Sequence, residues 1–335
     1  MTPSGKPGTS VHCPPPANVP EQEFYQAWAQ RYIRRVHQTP SEPVRSVDGR
    51  QAVAAKLGQA LRGVSAQAWQ KTEYLIGKEV VRHQINPDYV DPWSISQDVY
   101  RVYEAALHSY GAGTAAERFA VNWAQYLGEI RDRYTAQDPR VIGFVSMQFH
   151  YTGQLLLGHT HRQQTRDLEL YFKAIDDYLY MPLQRAYNAA AAYSYTAPEL
   201  ESIRRLMPAS SEIAHKIVNQ VLTAFPNHHS HSGPLASSLV KLSSVRDVEM
   251  FQTYLWVCLL EGKATVVQQE LFPLCVMLYP VLNVRWELVR YMLMLLEHEI
   301  GRRLEPAQWR QFKPYLDTLR VMFSTAVFPN QLCLA

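Results

Sequence analysis

Eighteen consecutive residues, Val141 to Gly158, carry no lysine, arginine, aspartate or glutamate. The run VIGFVSMQFHYTGQLLLG holds only His150 and Tyr151 as titratable side chains. A bilayer span needs about 20 mostly apolar residues. Inside lipid, Gln148, His150, Thr152 and Gln154 would each be costly without a partner. The window therefore reads as a helix that is apolar nearly all round and buried within a large helical domain. No integral membrane segment is expected, and peripheral association with a membrane stays open.

The rest of the chain reads as blocks of helix length separated by turn signals, with no βαβ alternation. Helices are expected at 21–37, from Asp48 as N-cap through Leu61, and from Ser65 as N-cap through His83. A loop at 86–92 (NPDYVDP) precedes helices at 94–110 and 114–134. Asp138 and Pro139 should start the uncharged helix as cap and first turn. Next comes a helix from 165 to about 180, broken at Pro182, and then starts at Pro198 and at Ser210 or Ser211.

Beyond the loop 226–234 (PNHHSHSGP), Val245, Val248, Phe251, Leu255, Cys258 and Leu259 recur at helical spacing. Glu261-Gly262-Lys263 should turn that helix into another at 265–278, ended by Tyr279-Pro280. Helices at 284–302 and 306–323 complete the pattern, with Trp286 expected to fill the C-terminal core. The fold class is all-α, a large antiparallel helical bundle or stacked helix pairs, because short connections favour antiparallel neighbours. Residues 1–20 read as a disordered Pro-rich tail. Residues 21–225 and 235–325 read as two helical halves or one continuous domain.

The chain has 335 residues, enough for a substantial core. Its net charge of +3 gives no global pull toward nucleic acid. The four cysteines, Cys13, Cys258, Cys275 and Cys333, form no CxxC pair, and Cys258 and Cys275 sit in apolar helical segments as inert thiols. The opening residues lack the apolar core of a signal peptide, so a reducing, cytoplasmic location is expected.

Ser146, His150 and Gln154 are spaced four apart and stack along one helical face, with Gln148 and Thr152 nearby. The stripe either faces a cofactor cavity or a partner helix, or its groups satisfy one another in the core. Glu79 with His83, Glu104 with His108, and Glu212 with His215 read as helical surface pairs, since a bundled di-iron site needs a second Glu-x-x-His motif. His228, His229 and His231 lack zinc-ligand spacing and read as a solvated, mobile loop. His159 and His161 read as a helix-end turn.

Asp176 and Asp177 are adjacent and diverge by about 100° on a helix, so they suit a solvated face or a salt bridge rather than acid–base work. GxSxG, HExxH, P-loop and GxGxxG motifs are absent. The arginine pairs at 34–35, 204–205 and 302–303 are too scattered for a nucleic-acid face. No catalytic residue, metal ligand or nucleic-acid partner is therefore assigned.

The segments VIGFVSMQFHYTGQLLL and VRDVEMFQTYLWVCLLEGKATVVQQELFPLCVMLYPVLNVRWELV give residues 138–325 a texture that resembles uncharacterised helical proteins of cyanobacteria. The resemblance implies an accessory role in a photosynthetic cell, cytoplasmic or thylakoid-associated, and transfers no role to any residue.

The leading expectation is a non-enzymatic helical adaptor or assembly factor acting by protein–protein contact, with no cofactor and with links to photosynthetic complexes. The 20 tyrosines and 7 tryptophans suit such contacts. The alternative is a helical binder of an apolar pigment, tetrapyrrole or lipid, with Ser146, His150 and Gln154 lining its cavity.

Overall fold

The computed structural model describes residues 26, 30, 47–160 and 162–329. The predicted helix at 21–37 and the Pro-rich tail lie almost wholly outside the described residues. Within them the chain is all-α apart from one two-residue hairpin.

The first helix, α1, runs unbroken from Val47 to Arg82 over 36 residues. This corrects the expected division into two helices, because Asp48 and Ser65 lie inside α1 rather than at caps. No proline interrupts the segment, and Leu57, Leu61, Val64, Ala68 and Ile76 are buried along one stripe. That continuous buried face outweighs the turn character of Gly63 and Ser65. The Asn86 side chain accepts from the Asp88 amide at the 3₁₀ turn Pro87–Tyr89. Asp91 caps α2 (Pro92–Gly111) through the amides of Trp93 and Ser94.

Helix α3 (Ala116–Thr135) leads to α4 (Val141–Gly158), the uncharged window. Asp138 stands one turn ahead of α4 rather than capping it, accepting from the Arg140 amide and holding the Arg140 guanidinium at 2.6 Å. Small residues let neighbours close on α4. A Cβ on Gly143 would lie 2.8 Å from Met277 Cε, and one on Gly153 would lie 2.7 Å from the Tyr103 hydroxyl.

Helices α5 (Arg162–Tyr180) and α6 (Leu183–Ala190) are divided at Pro182, and α7 (Pro198–Leu206) and α8 (Ser210–Ala224) start where proline and serine predict. The hairpin β1 (His229–Ser230) and β2 (Gly233–Pro234) follows. Helix α9 (Ser238–Glu261) is buried at every position from Val248 to Leu260 and packs on α6, α8 and the C-terminal helix. It ends at Gly262, whose φ of 66° is the left-handed conformation glycine adopts without a Cβ penalty.

Two expected boundaries shift. The segment predicted as one α-helix at 265–278 is a π-helical turn, Val267–Leu271, leading into α10 (Phe272–Val281). Pro273 explains the wider turn, because a proline ring clashes with the carbonyl four residues earlier in an α-helix. Pro280 does not end α10. The helix closes at Asn283, with φ of 53°, whose amide donates to Pro280 while Val284 donates back to Tyr279.

Helices α11 (Trp286–Gly301) and α12 (Pro306–Met322) complete the fold, α12 opening with a capping box between Glu305 and Gln308. Trp286 is half-buried and stacks on Phe328 at 4.0 Å rather than filling the C-terminal core. Trp256 of α9, fully buried, takes that central place. One hydrophobic cluster extends from Leu57 to Phe323, so the loop at 226–234 does not divide the core.

Candidate ligand-binding cavity

Between α4, α8, α9, α10, α11 and the hairpin lies a cavity of about 240 Å³. Its apolar part is walled by side chains that include Val218, Leu222, Leu278, Leu288, Val289 and Met292. Polar side chains enter the wall from α4 (Ser146, His150 and Gln154), from α9 (Ser243, Ser244, Arg246 and Asp247) and from the hairpin segment (His228, Ser230 and Ser232). The i, i+4 spacing on α4 thus sets three polar side chains along one wall. Gln148 and Thr152 turn the other way: Gln148 donates to the Ser65 carbonyl at 2.9 Å, and Thr152 donates to the Gln148 carbonyl at 2.8 Å.

His150 is held on both ring nitrogens. Its Nδ1 lies 2.8 Å from Asp176 Oδ2, and its Nε2 lies 2.8 Å from the Gln154 amide nitrogen. Arg246 Nη1 also lies 3.2 Å from Nδ1, so the ring is bracketed by Asp176, Gln154 and Arg246. Ser146 donates to the Gly143 carbonyl at 3.3 Å. Asp176 makes the salt-bridge contact foreseen for it with Arg246. Asp177 diverges to Lys173 at 2.7 Å.

Arg246 crosses from α9, with Nη1 at 3.5 Å from Asp176 Oδ2 and its guanidinium carbon 4.4 Å above the Tyr180 ring. Tyr180 donates to Asp247 Oδ1 at 2.8 Å. Burial opposes the charge on Arg246, yet Tyr180, Asp176 and Asp247 outweigh it and raise its pKa. Burial pushes the Asp247 carboxyl above its ordinary value, against the lowering effects of Arg246 and Tyr180. Arg246, Asp247 and Tyr180 were not assigned to a site from the sequence. The available signal was an Arg-Asp pair within a helix that is otherwise apolar on most sides.

The Asp247 shift has a consequence for stability. The unfolded carboxyl releases its proton near 3.8, and the folded one releases it at a higher pH. Its contribution to stability is full below the unfolded value and is lost as pH rises through the folded value. Asp247→Asn is expected to remove that decline, so the variant gains relative to wild type as pH rises above about 4. Urea denaturation of both proteins across this range checks it, and parallel pH profiles contradict it.

The histidine loop differs from expectation at His228, whereas His229 and His231 are exposed. His228 is buried against the cavity, and burial together with Arg285 lowers its pKa. The hairpin is pinned to the end of α10: the His231 amide donates to the Leu282 carbonyl at 2.9 Å. Leu235, Val240 and Leu288 form a small second core beneath it, which removes this loop from solvent on one side. His161 lies outside the described residues.

Of the helical pairs, Glu79 and His83 meet at 3.1 Å, whereas Glu212 turns to Arg303 at 2.7 Å. Cys258 and Cys275 are buried free thiols absent from the cavity wall, and burial pushes Cys258 up to about 12. Among the described residues no group of histidine, cysteine and carboxylate side chains is placed to hold a metal ion. No described helix is long and apolar enough to cross a membrane.

No curated protein and no solved structure matches the chain. A family model does match residues 169–322, from within α5 to the end of α12, which includes the α9, α10 and α11 walls of the cavity. Over that stretch the chain is similar to the family described as phycobilisome protein.

Proposed function

We propose that this chain is a non-enzymatic helical binding protein of a photosynthetic cell that holds an apolar ligand, without a covalent bond, in the cavity between α4 and α9. The observation that carries the reading is the cavity's composition: a predominantly apolar wall interrupted by a smaller number of polar side chains, the usual build of a small-molecule site. The likeness of residues 169–322 to a phycobilisome protein supports a role in or beside light harvesting, at a cytoplasmic location.

The space of about 240 Å³, which is partly open to solvent, is smaller than the ~300–1,000 Å³ of sites that bury drug-sized ligands. A slender chain or a molecule of one or two rings suits it, whereas a tetrapyrrole would leave most of its rings outside. Neither Cys258 nor Cys275 reaches the wall, so among the described residues no thiol is offered for covalent attachment.

Fluorescence titration with N-phenylnaphthylamine, a neutral apolar probe, tests the reading. Saturable binding to wild type is expected, and Ser146→Phe and Val289→Phe, which fill opposite parts of the cavity, are expected to weaken it at least about tenfold, a loss of ~1.4 kcal/mol. Binding unchanged in both correctly folded variants would contradict it.

A role in protein contact rests on a separate observation. Tyr74 on α1 and Trp93 at the start of α2 are 87% and 80% exposed, and large aromatic side chains of this kind serve as interface anchors.

A further inference from the structure

Resting on the pocket reading above, we infer that His228 orients the ligand by hydrogen-bonding a neutral hydroxyl, so that the cavity selects an apolar alcohol or phenol over the matching hydrocarbon. Among the described residues, two side chains of the cavity wall carry a buried nitrogen without a hydrogen-bond partner, His228 Nε2 and Arg246 Nε. Arg246 is the less buried, and its guanidinium already meets Asp176, His150 and the Tyr180 ring. His228 is only 6% exposed, and no described residue pairs with its Nε2.

The segment that carries this imidazole is anchored on both sides. The His228 amide donates to the Phe225 carbonyl at 3.2 Å, and its carbonyl accepts from the Leu235 amide at 3.1 Å. Asn283 Nδ2 donates to the His229 carbonyl at 2.5 Å and the His231 amide to the Leu282 carbonyl, which ties the next residues to the end of α10. Wall hydroxyls on the hairpin and on α9 have their protons committed elsewhere. Ser230 donates to the Gly233 carbonyl at 3.1 Å and Ser243 to the Leu239 carbonyl at 3.2 Å.

A buried polar atom left unpaired costs free energy, and a ligand that pairs it recovers that cost on binding. Burial and the charge of Arg285 lower the His228 pKa, so at neutral pH the imidazole is uncharged and does not call for an anion. A neutral imidazole has one N–H and one bare nitrogen. A hydroxyl both donates and accepts, so it pairs with Nε2 in either tautomer. A methyl group in the same place does neither and leaves the nitrogen unpaired. Leu282, Val284 and Leu288 supply apolar wall for the rest of the molecule.

The test pair is 4-propylphenol and 4-propyltoluene, which differ by a hydroxyl for a methyl group, each displacing N-phenylnaphthylamine from the full chain at neutral pH. Wild type is expected to bind the phenol at least as tightly as the hydrocarbon, although the hydroxyl is the better hydrated group. His228→Leu is expected to weaken the phenol at least about tenfold relative to the hydrocarbon. His228→Gln, which keeps a donor and an acceptor, is expected to retain most of the phenol affinity. A wild type that prefers the hydrocarbon overturns the hydroxyl inference and leaves the pocket reading in place. So does an unchanged phenol-to-hydrocarbon ratio in folded His228→Leu, since His228 would then not be its source. If that variant does not fold, the wild-type comparison decides. A protein that binds neither the probe nor either compound overturns the pocket reading and this inference with it.

Discussion

Glu270→Ala is expected to destabilise the protein by roughly 3–5 kcal/mol, because it leaves the buried Arg131 guanidinium without its counter-charge. Arg131 of α3 and Glu270 of the π-helical turn are both almost fully buried and hydrogen-bonded to each other. Tyr254 of α9 joins them, donating to Glu270 at 2.7 Å and accepting from Arg131 at 2.8 Å. The triad therefore ties α3 to two elements more than 100 residues away in the chain. Burial opposes the guanidinium charge while Glu270 and Tyr254 raise the Arg131 pKa, so the variant removes the main group that offsets burial, and a guanidinium is too basic to shed its proton instead.

The double change Arg131→Met with Glu270→Leu is expected to recover most of the loss, since replacing a buried pair with apolar side chains is often neutral or better. Urea denaturation of the single and double variants measures both. A single variant as stable as wild type would show that Arg131 finds another partner or water.

The second large effect belongs to Trp256. This side chain is fully buried in the stretch of α9 that has no exposed position. Trp256→Ala is expected to cost roughly 3–5 kcal/mol, the loss of transfer free energy plus the cavity left behind. Trp286→Ala should cost distinctly less, because Trp286 is half-buried and stacked on Phe328 near the end of the described chain. Denaturant midpoints of the two variants rank them, and an equal or larger loss at Trp286 would reverse the assignment of the core's centre.

The all-α class and most helix positions were legible because apolar spacing and proline, glycine and serine signals agree locally. The α4 window is the clearest case, since absence of charge over eighteen residues leaves a buried helix as the reading consistent with its polar stripe. Where local signals and packing conflict, packing prevails. Ser65 looks like a cap, yet it lies inside α1 with its carbonyl accepting from Gln148, a residue 83 positions away. Pro280 looks like a stop, yet Asn283 in the left-handed conformation ends α10.

The candidate site divides in the same way. Ser146, His150 and Gln154 could be grouped from the sequence because one helix sets their spacing. Asp176 and Arg246 lie 26 and 96 residues from His150 and meet it only through the packing of α5 and α9 on α4, which no local pattern encodes. Their adjacency to oppositely useful neighbours, Asp177 and Asp247, further hides them. On a helix, the two members of such a pair point to different surroundings, and only the fold decides which member faces the cavity.

The cavity is expected to hold a non-covalently bound apolar molecule when the protein works. Mass spectrometry of the protein purified from its own cells, recorded first under native and then under denaturing conditions, tests this most directly. A native mass exceeding the denatured mass by one small apolar molecule, recoverable in an organic extract and missing from Ser146→Phe, is the predicted result. Identical native and denatured masses, with an extract free of any stoichiometric molecule, would contradict it.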